Sequence, residues 1–118
     1  MGKSILKDKS YAFAIAIVKL VQVIQKDQKE YVLTKQLLRS GTAIGALISE
    51  AEFGQSKADF IHKLTISLKE ANETNYWLNL LNETNYLEKE SFVTLSSNFT
   101  ELIKMLIASI NTSKTKRL

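Results

Sequence analysis

YVLTKQLLRSGTAIGALISEAEFGQSKADFIHKLTISLKEANETNYWLNLL, residues 31–81, holds two amphipathic helical patterns with a punctuated reversal between them. Ala51-Glu52-Phe53-Gly54 closes the first pattern, and Gly54 is expected to supply a left-handed stop. Ser56-Lys57-Ala58-Asp59 opens the second, with Ser56 as N-cap and Asp59 as its acidic capping-box partner. A reversal this short forces the two helices to pack antiparallel.

Working outward, apolar residues recur at helical spacing in four segments. Helix 1 is expected over about Ile5 to Lys26, helix 2 over about Val32 to Phe53, helix 3 over about Lys57 to Asn82 and helix 4 over about Lys89 to Thr112. Leu33, Leu37, Ile44, Ile48 and Ala51 stripe helix 2. Ile61, Leu64, Leu68, Ala71, Leu78 and Leu81 stripe helix 3; Phe92, Leu95, Phe99, Leu102, Leu106 and Ile110 stripe helix 4. Short reversals between such segments give an all-α, antiparallel up-down-up-down four-helix bundle in one domain spanning residues 1–118. The pentad Asn-Glu-Thr-Asn-Tyr occurs at 72–76, inside helix 3, and again at 82–86, in the loop after it.

The 118 residues contain no cysteine and no proline, which excludes disulfides and thiolate metal sites and removes the commonest helix breaker. The 45% apolar and 24% charged balance is that of an ordinary soluble domain. Tyr11 to Val18 is apolar, but Lys7, Asp8 and Lys9 precede it and Lys19 follows, so it reads as neither a signal core nor a membrane span. Leu6 stands where myristoylation requires Ser or Thr. The expected location is cytoplasmic, and the Asn-x-Ser/Thr matches at Asn72, Asn82, Asn98 and Asn111 read as chance.

Helix 1 departs from simple amphipathicity. Phe13, Ile17, Leu20 and Ile24 make one stripe; Tyr11, Ile15, Val18 and Val21 make a second, rotated one. One face fills a bundle core. The second is expected to be a subunit interface, with Tyr11, Ile15 and Val18 as its candidates, because large exposed apolar patches mark association surfaces. Gly41 and Gly45, four apart among Ser40, Thr42, Ala43 and Ala46, each weaken helix 2 by about 1 kcal/mol against alanine, so another helix is expected to approach closely there. No phosphate loop is formed, since no Lys-Ser/Thr follows and the segment is helical.

Arg39 lies 15 residues before Gly54, so in an antiparallel hairpin it stands level with Lys69 to Ala71. Glu70 and Glu73 are then within reach, and a structural ion pair of Arg39 with either is expected; an anion or nucleic-acid contact is the alternative.

Catalytic chemistry finds little support. Asp59-Phe60-Ile61-His62 gives one acid-x-x-His spacing, but His62 is the single histidine, and ferritin-like sites need two such motifs plus further carboxylates. Ser96 and Ser97 lack a base partner. No metal, cofactor or small-molecule substrate is expected, and the chain reads as a non-enzyme.

The order Y-x-L-x-x-Q-L-L-R-S-G-T-x-I-G-A-x-I-x-E-A, then Q-S-K-x-D-F-I-x-K-L, then K-E-A-x-E-T-x-Y-W-L-x-L-L resembles the bacterial four-helix bundle family of 23S rRNA intervening-sequence proteins. Lys-Ser-Tyr-Ala-Phe-Ala at 9–14 and Glu-Leu-Ile-Lys-Met-Leu at 101–106 fit its first and last helices. Ala43 stands where that pattern has Ser, and Leu47 where it has Asn. The resemblance implies a ring-like homopentamer. The related accessory proteins of diversity-generating retroelements form similar pentamers and bind nucleic acid and a reverse transcriptase.

Charge placement bears on such a role. The net charge is +4, yet residues 1–113 hold 13 basic and 12 acidic side chains; Lys114, Lys116 and Arg117 supply the rest. The end carrying both termini and the helix 2–3 reversal holds Lys3, Lys7, Lys9, Lys57, Lys114, Lys116 and Arg117 against Asp8, Glu50, Glu52 and Asp59, a net +3. The opposite end holds Lys26, Lys29 and Lys89 against Asp27, Glu30, Glu83, Glu88 and Glu90, a net −2. Repeated around a ring, the basic end could engage phosphates, with Lys114, Lys116, Arg117, Lys3 and Lys57 as candidates for RNA or DNA contact. No aromatic platform accompanies it. Two function classes result: an oligomeric scaffold that binds nucleic acid or a nucleoprotein partner, and a protein-binding bundle without nucleic-acid contact.

Overall fold

The computed structural model describes residues 4–115. Four α-helices follow in order: α1 (Ile5–Gln28), α2 (Val32–Ala51), α3 (Lys57–Glu83) and α4 (Lys89–Thr115). Each packs against its chain neighbours, and α4 returns beside α1, while the diagonal pairs stay apart. The result is an up-down-up-down bundle about 53 Å long and 22 Å across, without strands among the described residues.

The helix ends follow local chemistry. Ser4 caps α1 by accepting from the Lys7 N–H at 3.0 Å. At its other end Lys29 takes the left-handed conformation, φ 56°, and its N–H closes on Gln25 O. Glu30 then starts α2, its carboxylate accepting from the N–H groups of Val32, Leu33 and Thr34 at 3.0, 2.8 and 2.9 Å. Burial pushes this carboxyl's pKa up, but those backbone donors outweigh it and hold the value below the ordinary glutamate level. Thr34 ties the turn together, donating to Glu30 O and accepting from Gln25 Nε2.

The α2–α3 reversal corrects one expectation. Gly54 does not adopt a left-handed conformation; the positive-φ residues of the described chain are Lys29 and Asn85. Helix α2 instead ends at Ala51 through a tightened turn, Phe53 N–H to Glu50 O and Gly54 N–H to Ala51 O, both 3.0 Å. The position is crowded. A Cβ at Gly54 would lie 3.0 Å from Asp59 Oδ2 and 3.1 Å from Ala51 O. Ser56 caps α3 through the Asp59 N–H, and the Asp59 carboxylate accepts from the Gln55 N–H at 3.3 Å.

The second copy of the repeated pentad ends α3. Asn85 is left-handed, φ 68°, and the bonds Tyr86 N–H to Leu81 O and Asn85 N–H to Asn82 O complete a Schellman stop. Gln28 Nε2 donates to Tyr86 O at 2.8 Å, joining this loop to the end of α1.

The core runs the length of the bundle. Phe13, Ile17, Val21 and Ile24 of α1 meet Leu37, Ile44 and Ile48 of α2, Leu64, Ala71, Leu78 and Leu81 of α3, and Leu95, Leu102, Leu106 and Ile110 of α4. Val21 is 2% exposed, so it belongs to this core and not to the outer stripe of helix 1. The seams differ in width. A Cβ at Gly45 would lie 3.2 Å from Ser10 O, and one at Gly41 would lie 3.0 Å from Ile17 Cγ2, so α1 rests almost backbone to backbone on α2. On the other side of α2, the buried Ser67 hydroxyl donates to Ile44 O at 2.9 Å. Helix α4, built from leucine and phenylalanine, stands further from its neighbours.

Replacing Gly45 by leucine is expected to lower stability by about 1–3 kcal/mol through overpacking against Ser10. The gain of about 1 kcal/mol in helix propensity does not offset this. The urea midpoint of folding, followed by circular dichroism, is the measurement.

Candidate functional site

Close approach at the α1–α2 seam shapes the surface above it. Because Gly45, Ala46, Thr42 and Ser49 of α2 are small, they form a low floor beside α1. Tyr11, Ala14, Ile15, Val18 and Gln22 wall the other side of a groove of about 630 Å³. Tyr11 is 70% and Ile15 42% exposed, and Val18 is half-buried. The structure thus brings Tyr11, Ile15 and Val18 together on one wall of an open apolar groove. The small residues expected to admit a close helix, Thr42, Gly45 and Ala46, also form the floor of this groove, a role that their spacing does not indicate. Ala43 and Leu47, the two departures from the family pattern, are half-buried on α2.

Across the α2–α3 hairpin, Arg39 reaches both carboxylates. Its Nη1 donates to Glu70 Oε1 at 3.3 Å, its Nη2 donates to Glu73 Oε2, and its Nε donates to Gln36 Oε1 at 3.4 Å. Trp77 Nε1 donates to the same Glu73 oxygen at 2.9 Å. The Trp77 bond and the Arg39 contact hold the Glu73 pKa below the ordinary carboxylate value. The Glu73 hydrogen bond, with the charges of Glu73 and Glu70, raises that of Arg39. The Arg39 side chain is 50% exposed, so the network works in high dielectric. Trp77 and Gln36 are members that spacing alone had not indicated.

The termini-bearing end is charged on both sides. Lys7 pairs with Glu52 at 3.2 Å, Lys9 with Glu101 at 3.1 Å and Lys63 with Glu50 at 3.0 Å. Lys57 is exposed in the first turn of α3 and Lys114 in the last turn of α4. Lys3, Lys116 and Arg117 lie outside the described residues. Within them, Lys7, Lys9, Lys57 and Lys114 at this end match Asp8, Glu50, Glu52 and Asp59 in number, so the surplus of +3 is that of Lys3, Lys116 and Arg117.

His62 is exposed on α3, and Asp59 is engaged in the cap. Among the described residues, no three of His, Asp and Glu gather in a metal-binding arrangement, and no helix is long and apolar enough to cross a membrane.

Fold and surface together define a small all-α up-and-down bundle whose features are faces and ends. The family model of the 23S rRNA-intervening sequence protein matches residues 3–108, and the chain belongs to that family. It is also similar to a solved structure from Bacteroides thetaiotaomicron VPI-5482, a protein with unknown function from the S23 ribosomal protein family. The two are 54% identical, over 90% of this chain and 98% of that one, with a TM-score of 0.88. No curated protein gives a significant match.

The depressed pKa of Glu73 fixes a pH window. Its ion-pair contribution is fully present above the unfolded glutamate value of about 4.3 and is lost as pH falls through the lower folded value. Against Glu73→Gln, the wild-type protein is expected to be more stable by about 0–1 kcal/mol at neutral pH, the range of an exposed pair. The gap closes in acid. Because Trp77 is the single tryptophan, its emission reports the change directly.

Proposed function

We propose that the chain is a cytoplasmic, non-enzymatic scaffold that assembles with copies of itself through the α1–α2 groove and binds RNA or DNA through its termini-bearing end. The observation that carries the self-association is the groove, whose wall keeps Tyr11 70% exposed beside Ile15 and Val18. Exposed apolar surface of this kind is costly in water and is characteristic of association faces. A ring of five is the form the family resemblance suggests.

The nucleic-acid reading rests on charge. With Lys114 at the end of α4 the described charges of this end balance, and Lys116, Arg117 and Lys3 raise it to a net +3. Assembly around an axis would multiply that charge and strengthen phosphate binding. A second reading is favoured by the pairs Lys7–Glu52 and Lys63–Glu50, which satisfy two of the lysines near this end. In it the bundle binds protein and makes no nucleic-acid contact.

Light scattering is expected to show an oligomer at micromolar concentration. Ile15→Glu with Val18→Glu should convert it to monomer without loss of helix, and a wild-type monomer would reject the assembly. For the second function, affinity for RNA or DNA is expected to be largely independent of sequence and to fall steeply as salt rises. Truncation after Ser113 removes Lys114, Lys116 and Arg117 and should weaken it. Binding absent even at low salt would favour the protein scaffold.

A further inference from the structure

The loop between α3 and α4 carries an unusual piece of evidence about itself. Asn82-Glu83-Thr84-Asn85-Tyr86 turns the chain through a left-handed Asn85, yet the identical pentad at 72–76 is uninterrupted helix in the same molecule. The stop is therefore not dictated by its own five residues. No glycine or proline lies between Asn82 and Lys89 to forbid helix there. What holds the turn is its surroundings: the Gln28 bond to Tyr86 O and the burial of Leu87, which is 7% exposed.

The helix beyond this turn is also the least firmly seated. Helices α1, α2 and α3 share small-residue seams, with Ser10 on Gly45 and the Ser67–Ile44 bond holding their backbones close. Helix α4 has no such seam: its backbone stands further from α1 and α3, and two open grooves lie along its contact with α1. One, about 610 Å³, is lined by Ala16, Leu20, Val23, Thr94 and Leu95 among others; the other, about 150 Å³, lies by Lys9, Phe13 and Glu101. The Lys9–Glu101 ion pair that ties this contact is solvent-exposed.

We propose that α4 is an exchangeable helix. The loop straightens, α3 and α4 join into one continuous helix, and α4 takes the seat of its counterpart on α1 and α3 of a second copy. The exchange is close to balanced because the seat is refilled by the same sequence. Every core contact of Leu95, Leu102, Leu106 and Ile110 is remade between chains. The packing of Leu87 and the Gln28 bond are given up. In return the loop gains helical hydrogen bonds and Asn85 leaves the left-handed region. This goes beyond the self-association above, which leaves each α4 on its own α1.

The test uses the native ion pairs. Protein of natural isotopic composition is mixed with fully ¹⁵N-labelled protein and annealed at high concentration in moderate urea. After removal of the urea, the pairs are joined by a zero-length carbodiimide and the linked peptides are weighed by mass spectrometry. Lys9–Glu101 peptides of mixed isotope are expected to rise with annealing. Lys7–Glu52 and Lys63–Glu50 peptides, which lie within the α1–α2–α3 unit, should stay unmixed. Asn85→Ala, which favours helix over the left-handed stop, should raise the mixed fraction, and Asn85→Gly should lower it, with about tenfold or more between them. If Asn85→Ala does not fold, the fall from wild type to Asn85→Gly still decides the matter. Wild-type protein without mixed Lys9–Glu101 pairs overturns the proposal, as does equal mixing at all three pairs or equal mixing in the two variants. Oligomers with unmixed Lys9–Glu101 peptides would overturn the exchange and leave the scaffold reading standing.

Discussion

The structure depends on one constraint, the near contact of α2 with the helices on both its sides. Gly45 against Ser10 and Gly41 against Ile17 bring α1 in; Ser67 bonded to Ile44 O brings α3 in. Two glycines in a row of helical turns weaken α2 by about 2 kcal/mol in propensity. Dense packing of α1 and α3 on either side offsets that loss. The same choice dictates what else lines the seams. Ser10, Thr34, Ser40, Ser67 and Thr74 are all fully buried, and each is as small as the gap requires. Their hydroxyls bond to backbone carbonyls, as Ser10 does to Lys7 O, Ser40 to Gln36 O and Thr74 to Glu70 O. Burying them therefore leaves no buried side-chain polar atom unpartnered among the described residues.

The constraint also accounts for the surface. A helix seated on glycine and serine sinks low, so its outer residues and those of α2 form a groove instead of a ridge. Tyr11, Ile15 and Val18 are left with small neighbours and no large side chain to cover them. The apolar groove is thus a consequence of tight packing beneath it. The wide seams have the opposite character. Phe13 and Phe99 fill the α1–α4 gap with rings whose centroids lie 5.9 Å apart, which holds the backbones apart and leaves open space beside them.

Much of this was legible in the sequence, for physical reasons that can be named. Helix periodicity reports a face, so the core stripes and the four elements could be read directly. Arg39 could be matched with Glu70 and Glu73 because an antiparallel hairpin converts sequence distance into height along the bundle. Val21 was assigned to the outer stripe and lies in the core, because it sits where the two stripes of helix 1 meet, one turn from both Ile17 and Ile24. The groove floor was hidden because Thr42, Ala46 and Ser49 matter by their smallness, and smallness alone names no partner. Trp77 joined the Arg39 network by standing one turn beyond Glu73, a local relation that a search for charge pairs passes over.

Gly54 and Asn85 show where local reading stops. The glycine at the α2–α3 reversal looked like a left-handed cap, yet its φ is not positive, and what marks the position is crowding: a Cβ there would press on Asp59 Oδ2 and Ala51 O. The residue that does take the left-handed stop is an asparagine in a pentad that is helical ten residues earlier. In the first copy Thr74 is fully buried, which holds that turn on the core. In the second, Thr84 is exposed, and the chain gains more by turning so that Leu87 can be buried and Gln28 can reach Tyr86 O. The difference between helix and turn is set by what each copy can bury, and a pentad cannot carry that information. The two reversals are set by different routes: local crowding within the turn at Gly54, and tertiary burial of Leu87 beyond Asn85.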